Sequence, residues 1–140
     1  MSKVAIVYWS GTGNTEAMAK AVADGAKVVG SKAEIIDAKC FNESMVDGFD
    51  AIGFGCPPTG SEVLEKKVFR PMFDDCKSKL IGKKIALFGS YGGGDGEWMR
   101  NWNEECESLG ADIVAHFVIC SQSPNEACLK ECIELGKALA

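Results

Sequence analysis

The chain has 140 residues, 46% of them hydrophobic, and a formal net charge of −5 at pH 7. That length supports one substantial core and is short for two, so a single domain over residues 1–140 is expected. The acidic balance disfavours nucleic acid and anionic membranes, which need a basic footprint, and points instead to basic surfaces of protein partners. The first apolar run, Val4–Trp9, stops at a glycine-rich loop after six residues, so neither a signal peptide nor a membrane span is expected, and a cytoplasmic protein is.

Short, nearly continuous apolar runs alternate with segments of helical spacing. The runs are Val4–Trp9, Ala33–Ile36, Ala51–Gly55, Ile85–Gly89 and Ile113–Cys120. Apolar on both faces, they suit parallel strands buried between helix layers. Between them, Met18, Val22 and Val29 form one stripe, and Leu64, Val68, Met72 and Cys76 another, with Pro71 expected to divide that helix. A short helix is expected within 41–49. Trp98, Trp102, Cys106 and Leu109 form a third stripe, read as core rather than as a cofactor box, and Leu129, Cys132, Ile133 and Gly136 line the last helix. Right-handed crossovers then give an open, doubly wound α/β sheet with helices on both faces. Ligands of such sheets sit at the carboxyl ends of the strands, which directs attention to the loops 10–15, 56–62, 90–96 and 121–124.

The seven cysteines lack C-x-x-C spacing, and His116 stands alone, so no metal site is expected. The cysteines read as reduced packing residues.

Ser10-Gly11-Thr12-Gly13-Asn14-Thr15 carries two glycines and four hydroxyl or amide side chains but no cation. Backbone amides at a helix start, with the positive end of its dipole, hold a phosphate without a lysine. The lysine and spacing of an NTPase loop are missing, and Glu16 occupies the last glycine position of the dinucleotide pattern, so a single terminal monophosphate fits best.

Three stretches, IVYWSGTGNTEAMA, GSEVLE and LFGSYGGGDGEWM, occur in the order and at the separations of the phosphate loop and the two isoalloxazine loops of short-chain flavodoxins, and the chain resembles that family from end to end. The resemblance implies a five-stranded parallel sheet of order 2-1-3-4-5 and FMN as cofactor. Ser10, Gly11, Thr12, Gly13, Asn14 and Thr15 would surround the FMN phosphate, Ser90 would point to phosphate or ribityl, and Trp9 would lie beside the loop. Pro57, Pro58, Thr59, Gly60, Ser61 and Glu62 would form the first ring loop. Glu62 would accept from flavin N3–H, and Gly60 would begin a type II′ turn whose peptide flips to offer a carbonyl to reduced N5. Tyr91, Gly92, Gly93, Gly94, Asp95 and Gly96 would form the second ring loop, its amides facing the pyrimidine oxygens.

The implied function is a low-potential one-electron carrier, cycling mainly between neutral semiquinone and hydroquinone and shuttling electrons between redox enzymes as a monomer. It would have no substrate of its own. The acids Glu62, Glu65, Asp95 and Glu97 would steer basic patches of reductases and oxidases. An FMN-dependent NAD(P)H or quinone reductase on the same fold is the alternative, although the loops are short for a second pocket. A phospho-receiver is excluded, since the third strand ends Gly55-Cys56 without an aspartate.

Two departures from the family stand out. Gly93 occupies the place of an aromatic ring that stacks on the flavin, so either Tyr91 or Trp98 covers the outer face or the flavin is unusually exposed. Pro57-Pro58 would stiffen the approach to the flipping turn.

Overall fold

A computed structural model describes residues 2–60 and 62–140. In chain order, β1 (Lys3–Tyr8), α1 (Asn14–Val28) and β2 (Lys32–Asp37) lead through a 3-10 turn (Ala38–Cys40) to α2 (Glu43–Val46) and β3 (Ala51–Gly55). A small hairpin of β4 (Pro58–Thr59) and β5 (Val63–Leu64) precedes α3 (Phe69–Cys76) and β6 (Lys84–Tyr91). The chain finishes with α4 (Glu97–Ser108), β7 (Asp112–Ile113), β8 (Val118–Ser121) and α5 (Glu126–Leu139).

The main sheet is parallel and runs β2-β1-β3-β6, with β7 and β8 both pairing β6. Counting β7 and β8 as one outer strand, this is the expected order 2-1-3-4-5. The run Ile113–Cys120 is not one continuous strand, however. Val114 N still donates to Ile85 O, then the chain leaves the sheet and returns at Val118. An outer strand can do this because only one ladder is interrupted. The other outer strand, β2, is also less buried than its apolar run suggests: Glu34 and Ile35 are exposed, and only Ile36 is fully covered.

Alternation along the inner strands sends side chains to two cores. Ala5, Val7, Ile52, Phe54, Ile85 and Leu87 meet α3 and α4, while Val4, Ile6, Ala86 and Phe88 meet α1 and α5. The two tryptophans belong to the first core: Trp102 meets Phe69 and Phe73 edge-on at 5.4 and 5.8 Å. On the other face α1 and α5 approach closely enough that a Cβ on Gly25 would overlap the Ile133 carbonyl, and one on Gly136 the Val22 carbonyl.

Three helix expectations change. Val29 lies beyond α1 and is 53% exposed, its place in the stripe taken by Ala26. Leu64 belongs to the hairpin rather than to a helix. Pro71 does not divide a helix. It sits in the first turn of α3, where its missing N–H costs nothing.

The cysteine reading changes at one place. Cys120 and Cys128 face each other with Cα atoms 6.1 Å apart, a spacing that suits a disulfide, and the other five are free thiols. Spacing within the sequence could not show this, because the pairing depends on β8 and α5 folding against each other.

Candidate cofactor site

A cavity of about 440 Å³ opens at the carboxyl ends of the sheet strands. Trp9, Gly11, Thr12 and Asn14 after β1, Pro57, Pro58 and Thr59 after β3, Ser90, Tyr91 and Gly92 at the end of β6, and Gln122 and Ser123 after β8 line it. None of these residues is charged.

The loop after β1 is organised from within. Ser10 Oγ accepts from Gly13 N at 3.0 Å and from Glu16 N at 3.4 Å, pulling the chain into a tight curve. Gly13, at φ 94°, takes the N-cap position of α1, so this helix starts with no side chain from its cap. Thr15 and Ser90, both buried, share a hydroxyl hydrogen bond of 2.9 Å that ties the start of α1 to the end of β6. The result is a braced helix start at which the amides of Gly13, Asn14 and Glu16 rest on the Ser10 and Thr12 hydroxyls, an arrangement that an anion at the same place would take over.

The other side is built from two loops. The hairpin closes with Thr59 opposite Val63, leaving a three-residue connection in which Gly60 (φ 56°) and Glu62 (φ 58°) are both left-handed. The positive φ of Gly60 is as expected; that of Glu62 is not anticipated by a two-residue turn. Nothing lies within 4 Å of a Cβ placed on Gly60, Gly92 or Gly93. One contact joins the two loops: Glu62 Oε2 accepts from Trp98 N at 3.1 Å, capping α4 in place of the side chain that its own N-cap, Gly96, lacks. The same carboxylate fills the space that a Cβ on Gly94 would occupy.

Trp98 cannot also cover a bound ring. It is 2% exposed, and its indole N–H donates to Cys56 O at 3.0 Å. Tyr91 rests against it with ring centroids 5.4 Å apart and is the aromatic that reaches the cavity from this loop. The Cys56 thiol is buried at the end of β3, and burial raises its pKa, so it contributes no charge.

The sequence-expected residues therefore divide. Trp9, Gly11, Thr12, Asn14, Pro57, Pro58, Thr59, Ser90, Tyr91 and Gly92 line the cavity. Ser10, Gly13 and Thr15 shape its helix start. Glu62 lines a neighbouring 330 Å³ hollow with Arg70, Trp98, Trp102 and Glu105, rather than the main cavity. Gly60, Gly93, Gly94, Asp95 and Gly96 lie in the two loops without lining it. Ser61 falls outside the described residues. Gln122 and Ser123 were missing from the expected set. Their signal was positional only, a polar loop after the fifth apolar run.

The acidic rim is smaller than expected. Glu65 is 7% exposed and serves α3: its carboxylate accepts from Lys67 N, Val68 N and Phe69 N at 2.8–2.9 Å. Burial opposes its charge, but the three amides outweigh that and hold its pKa below the ordinary value. Asp95 pairs with Arg100 at 3.1 Å. Glu97 remains exposed at the first turn of α4.

Comparison with known proteins agrees with this architecture. The flavodoxin family model matches residues 6–136. The chain is 46% identical to a flavodoxin of Megasphaera elsdenii, covering 98% of each, and 43% identical to one of Clostridium beijerinckii, covering 96% of this chain and 97% of that one. The solution structure of two-electron-reduced Megasphaera elsdenii flavodoxin superposes with a TM-score of 0.89 over 97% of both chains. A flavodoxin from the domain Archaea, 27% identical, gives 0.88 over 99% of this chain and 96% of its own. With near-complete coverage, a shared strand order and the phosphate-type loop in place, the chain belongs to the flavodoxin family.

Proposed function

We propose that the cavity binds FMN and that the chain, as one domain over residues 1–140, is a diffusible low-potential one-electron carrier. Family membership supports FMN-based electron transfer. The observation that carries the reading is the cavity itself: an uncharged pocket of cofactor size, with a helix start at one end whose N-cap is a glycine and whose first amides are gathered around the Ser10 hydroxyl. Those donors suit a phosphate, and the long uncharged wall of Trp9, Pro58, Thr59 and Tyr91 suits a flat, mostly neutral ring.

Bound FMN supplies one-electron steps between its one- and two-electron-reduced forms. The chain's own residues do the rest. Amides of residues 13–16, with the hydroxyls of Thr12 and Ser10 and the amide of Asn14, grip the phosphate. The Thr15–Ser90 pair keeps that grip in register with β6. Gly60 is already left-handed at φ 56°, and as a glycine it would allow the following peptide to turn and offer a carbonyl to reduced flavin N5. Glu62 gives one oxygen to the α4 amide and lines the neighbouring hollow, so it would have to turn toward the cavity to accept from flavin N3–H. No lining side chain carries positive charge, so negative charge added to the ring goes uncompensated, at a cost of about 1 kcal/mol or more for each close charge. That keeps the reduced protein a strong donor.

Electrons would leave through an exposed dimethylbenzene edge to basic partner surfaces drawn by the net negative charge. The test is an absorption titration with FMN followed by stepwise anaerobic reduction. Binding with a long-wavelength band at half reduction is the expected result. A protein that stays colourless overturns the reading, and bleaching by NADPH without an added reductase would assign it to the reductases instead.

A further inference from the structure

The loop after β8 is held at both ends by chemistry that the electron-transfer reading does not use. At its start Cys120 lies one residue before the end of β8, and at its finish Cys128 lies in the first turn of α5; the two face each other with Cα atoms 6.1 Å apart, within the span of a disulfide. Between them, Gln122 and Ser123 form one wall of the cavity. Gln122 is left-handed at φ 57°, a conformation uncommon for a side chain of its kind, and its amide donates to Tyr91 O at 2.6 Å. The cysteine pair, the strained residue and the cavity wall are one connected unit.

We propose that Cys120 and Cys128 are a reversible thiol–disulfide latch that fixes the 121–127 loop against the cofactor cavity and so tunes how firmly the ligand is held. The inference about the ligand rests on the FMN reading above, while the latch itself does not.

The positions allow the chemistry. Both cysteines are buried, but all residues between them except Pro124 are exposed, so a small disulfide reaches the pair when the loop moves. Asn125 caps α5 by accepting from Cys128 N at 2.8 Å, which places the Cys128 sulfur in the helix's first turn, from where its thiolate is the attacking group. That thiolate attacks one sulfur of a low-molecular-weight disulfide, forming a mixed disulfide and releasing one thiolate. Cys120, losing its proton, then attacks the Cys128 sulfur and expels the second. Two protein thiols have given up two electrons and two protons, and one small disulfide has become two thiols. Cys132 lies close by, with the three sulfurs within 4.8 Å of one another, but it is fully buried on α5 one turn beyond Cys128, away from the exposed loop through which a small disulfide enters.

The experiment treats the full chain with oxidised glutathione or with dithiothreitol. It then maps disulfides by peptide mass, follows amide exchange of residues 121–127, and titrates FMN into each form, for wild type, Cys120→Ala and Cys132→Ala. The expected result is a Cys120–Cys128 linked peptide that dithiothreitol removes. Loop exchange should be about tenfold slower in the linked form, and FMN binding about three- to tenfold tighter. Cys132→Ala should keep all three effects and Cys120→Ala none. Failure of the linked peptide to form, unchanged loop exchange, or equal FMN affinities in the two forms would each overturn the latch. So would a one-to-one zinc complex shielding all three thiols from alkylation. If neither form binds FMN, the cofactor reading falls, and peptide mass and loop exchange still decide the latch.

Discussion

The two ends of the cavity are built on opposite plans. At the helix start, Ser10 holds two amides and the Thr15–Ser90 pair bolts α1 to β6, so the backbone is fixed before a ligand arrives and binding only exchanges the partners of its amides. At the ring end, a proline-led loop with one glycine and a glycine-rich loop meet, among the described residues, through the Glu62 carboxylate, and a Cβ on Gly60, Gly92 or Gly93 would find open space. A braced anion site supplies affinity, because its ordering cost is already met in folding. A loosely held ring site can instead change its hydrogen bonds when the charge on the ring changes, and there the potential is set. Affinity and potential should therefore be separable, and each end offers a way to test that.

The largest effect should come from removing the phosphate. Riboflavin, which lacks it, forfeits several charge-assisted hydrogen bonds of about 1.5–3 kcal/mol each, so it should bind at least about a thousandfold more weakly than FMN. Comparable affinities in parallel fluorescence titrations would mean that the ring end, not the helix start, provides the grip.

Next is the hidden brace of the ring end. Glu65 ties the segment after the hairpin to α3 through three amides. Glu65→Gln leaves one of those donors facing an NH2 group and should cost about 1–3 kcal/mol of stability at pH 7. The folded-state pKa is lowered, so the stabilisation is fully present above the ordinary carboxyl range and is lost as pH falls through the folded value. Urea unfolding of wild type and variant should accordingly differ most at neutral pH and converge in acid. A difference that persists unchanged at low pH would deny Glu65 this part.

Much of this was legible in the sequence, and the reasons differ by region. The inner strands and the phosphate-type loop are local features: an apolar run, two glycines and a hydroxyl-rich turn state their geometry within a dozen residues. Outer strands were misjudged because an apolar run cannot say whether it will have one neighbour or two, as β2 and the broken β7–β8 edge demonstrate. Glu65 looked like a rim charge, since its three amide partners follow it along the chain but fold over it only in three dimensions. Position alone marks the loop 121–124, without assigning Gln122, Ser123 or the Cys120–Cys128 pair a part in it. Their meaning depends on β8 ending beside β6, which no short motif records.

A smaller effect, but the one that separates potential from affinity, is expected at Gly60. Valine there must hold a left-handed conformation at a cost of about 1–2 kcal/mol and resists turning its peptide. Gly60→Val should shift the one-electron midpoint potentials by several tens of millivolts, at about 59 mV per factor of ten, while changing the affinity of the oxidised form by less. Spectroelectrochemistry beside the FMN titration checks this. An affinity loss equal for every redox state would show that Gly60 is a turn glycine and nothing more.

The smallest predicted change is a gain. Trp98 is committed to Cys56 and Tyr91 covers only part of the wall, so the outer side of the ring site lacks a stacked aromatic. Gly93 is the place to supply one. No atom lies within 4 Å of a Cβ there and its φ is not positive, whereas at neighbouring Gly94 a side chain would meet φ 79° and the Glu62 carboxylate. Offset stacking adds about 1 kcal/mol beyond the area buried, so Gly93→Trp should tighten oxidised FMN about fivefold. By keeping water from the ring and placing an electron-rich face beside it, the same substitution should lower the potential of the second electron. Tighter binding with unmoved potentials would leave the added ring as mere contact area, and no change in either would mean that position 93 does not face the cofactor. Either result would break the division between the two ends at its weakest joint, because it is the openness at this position that makes the ring end differ from the helix start.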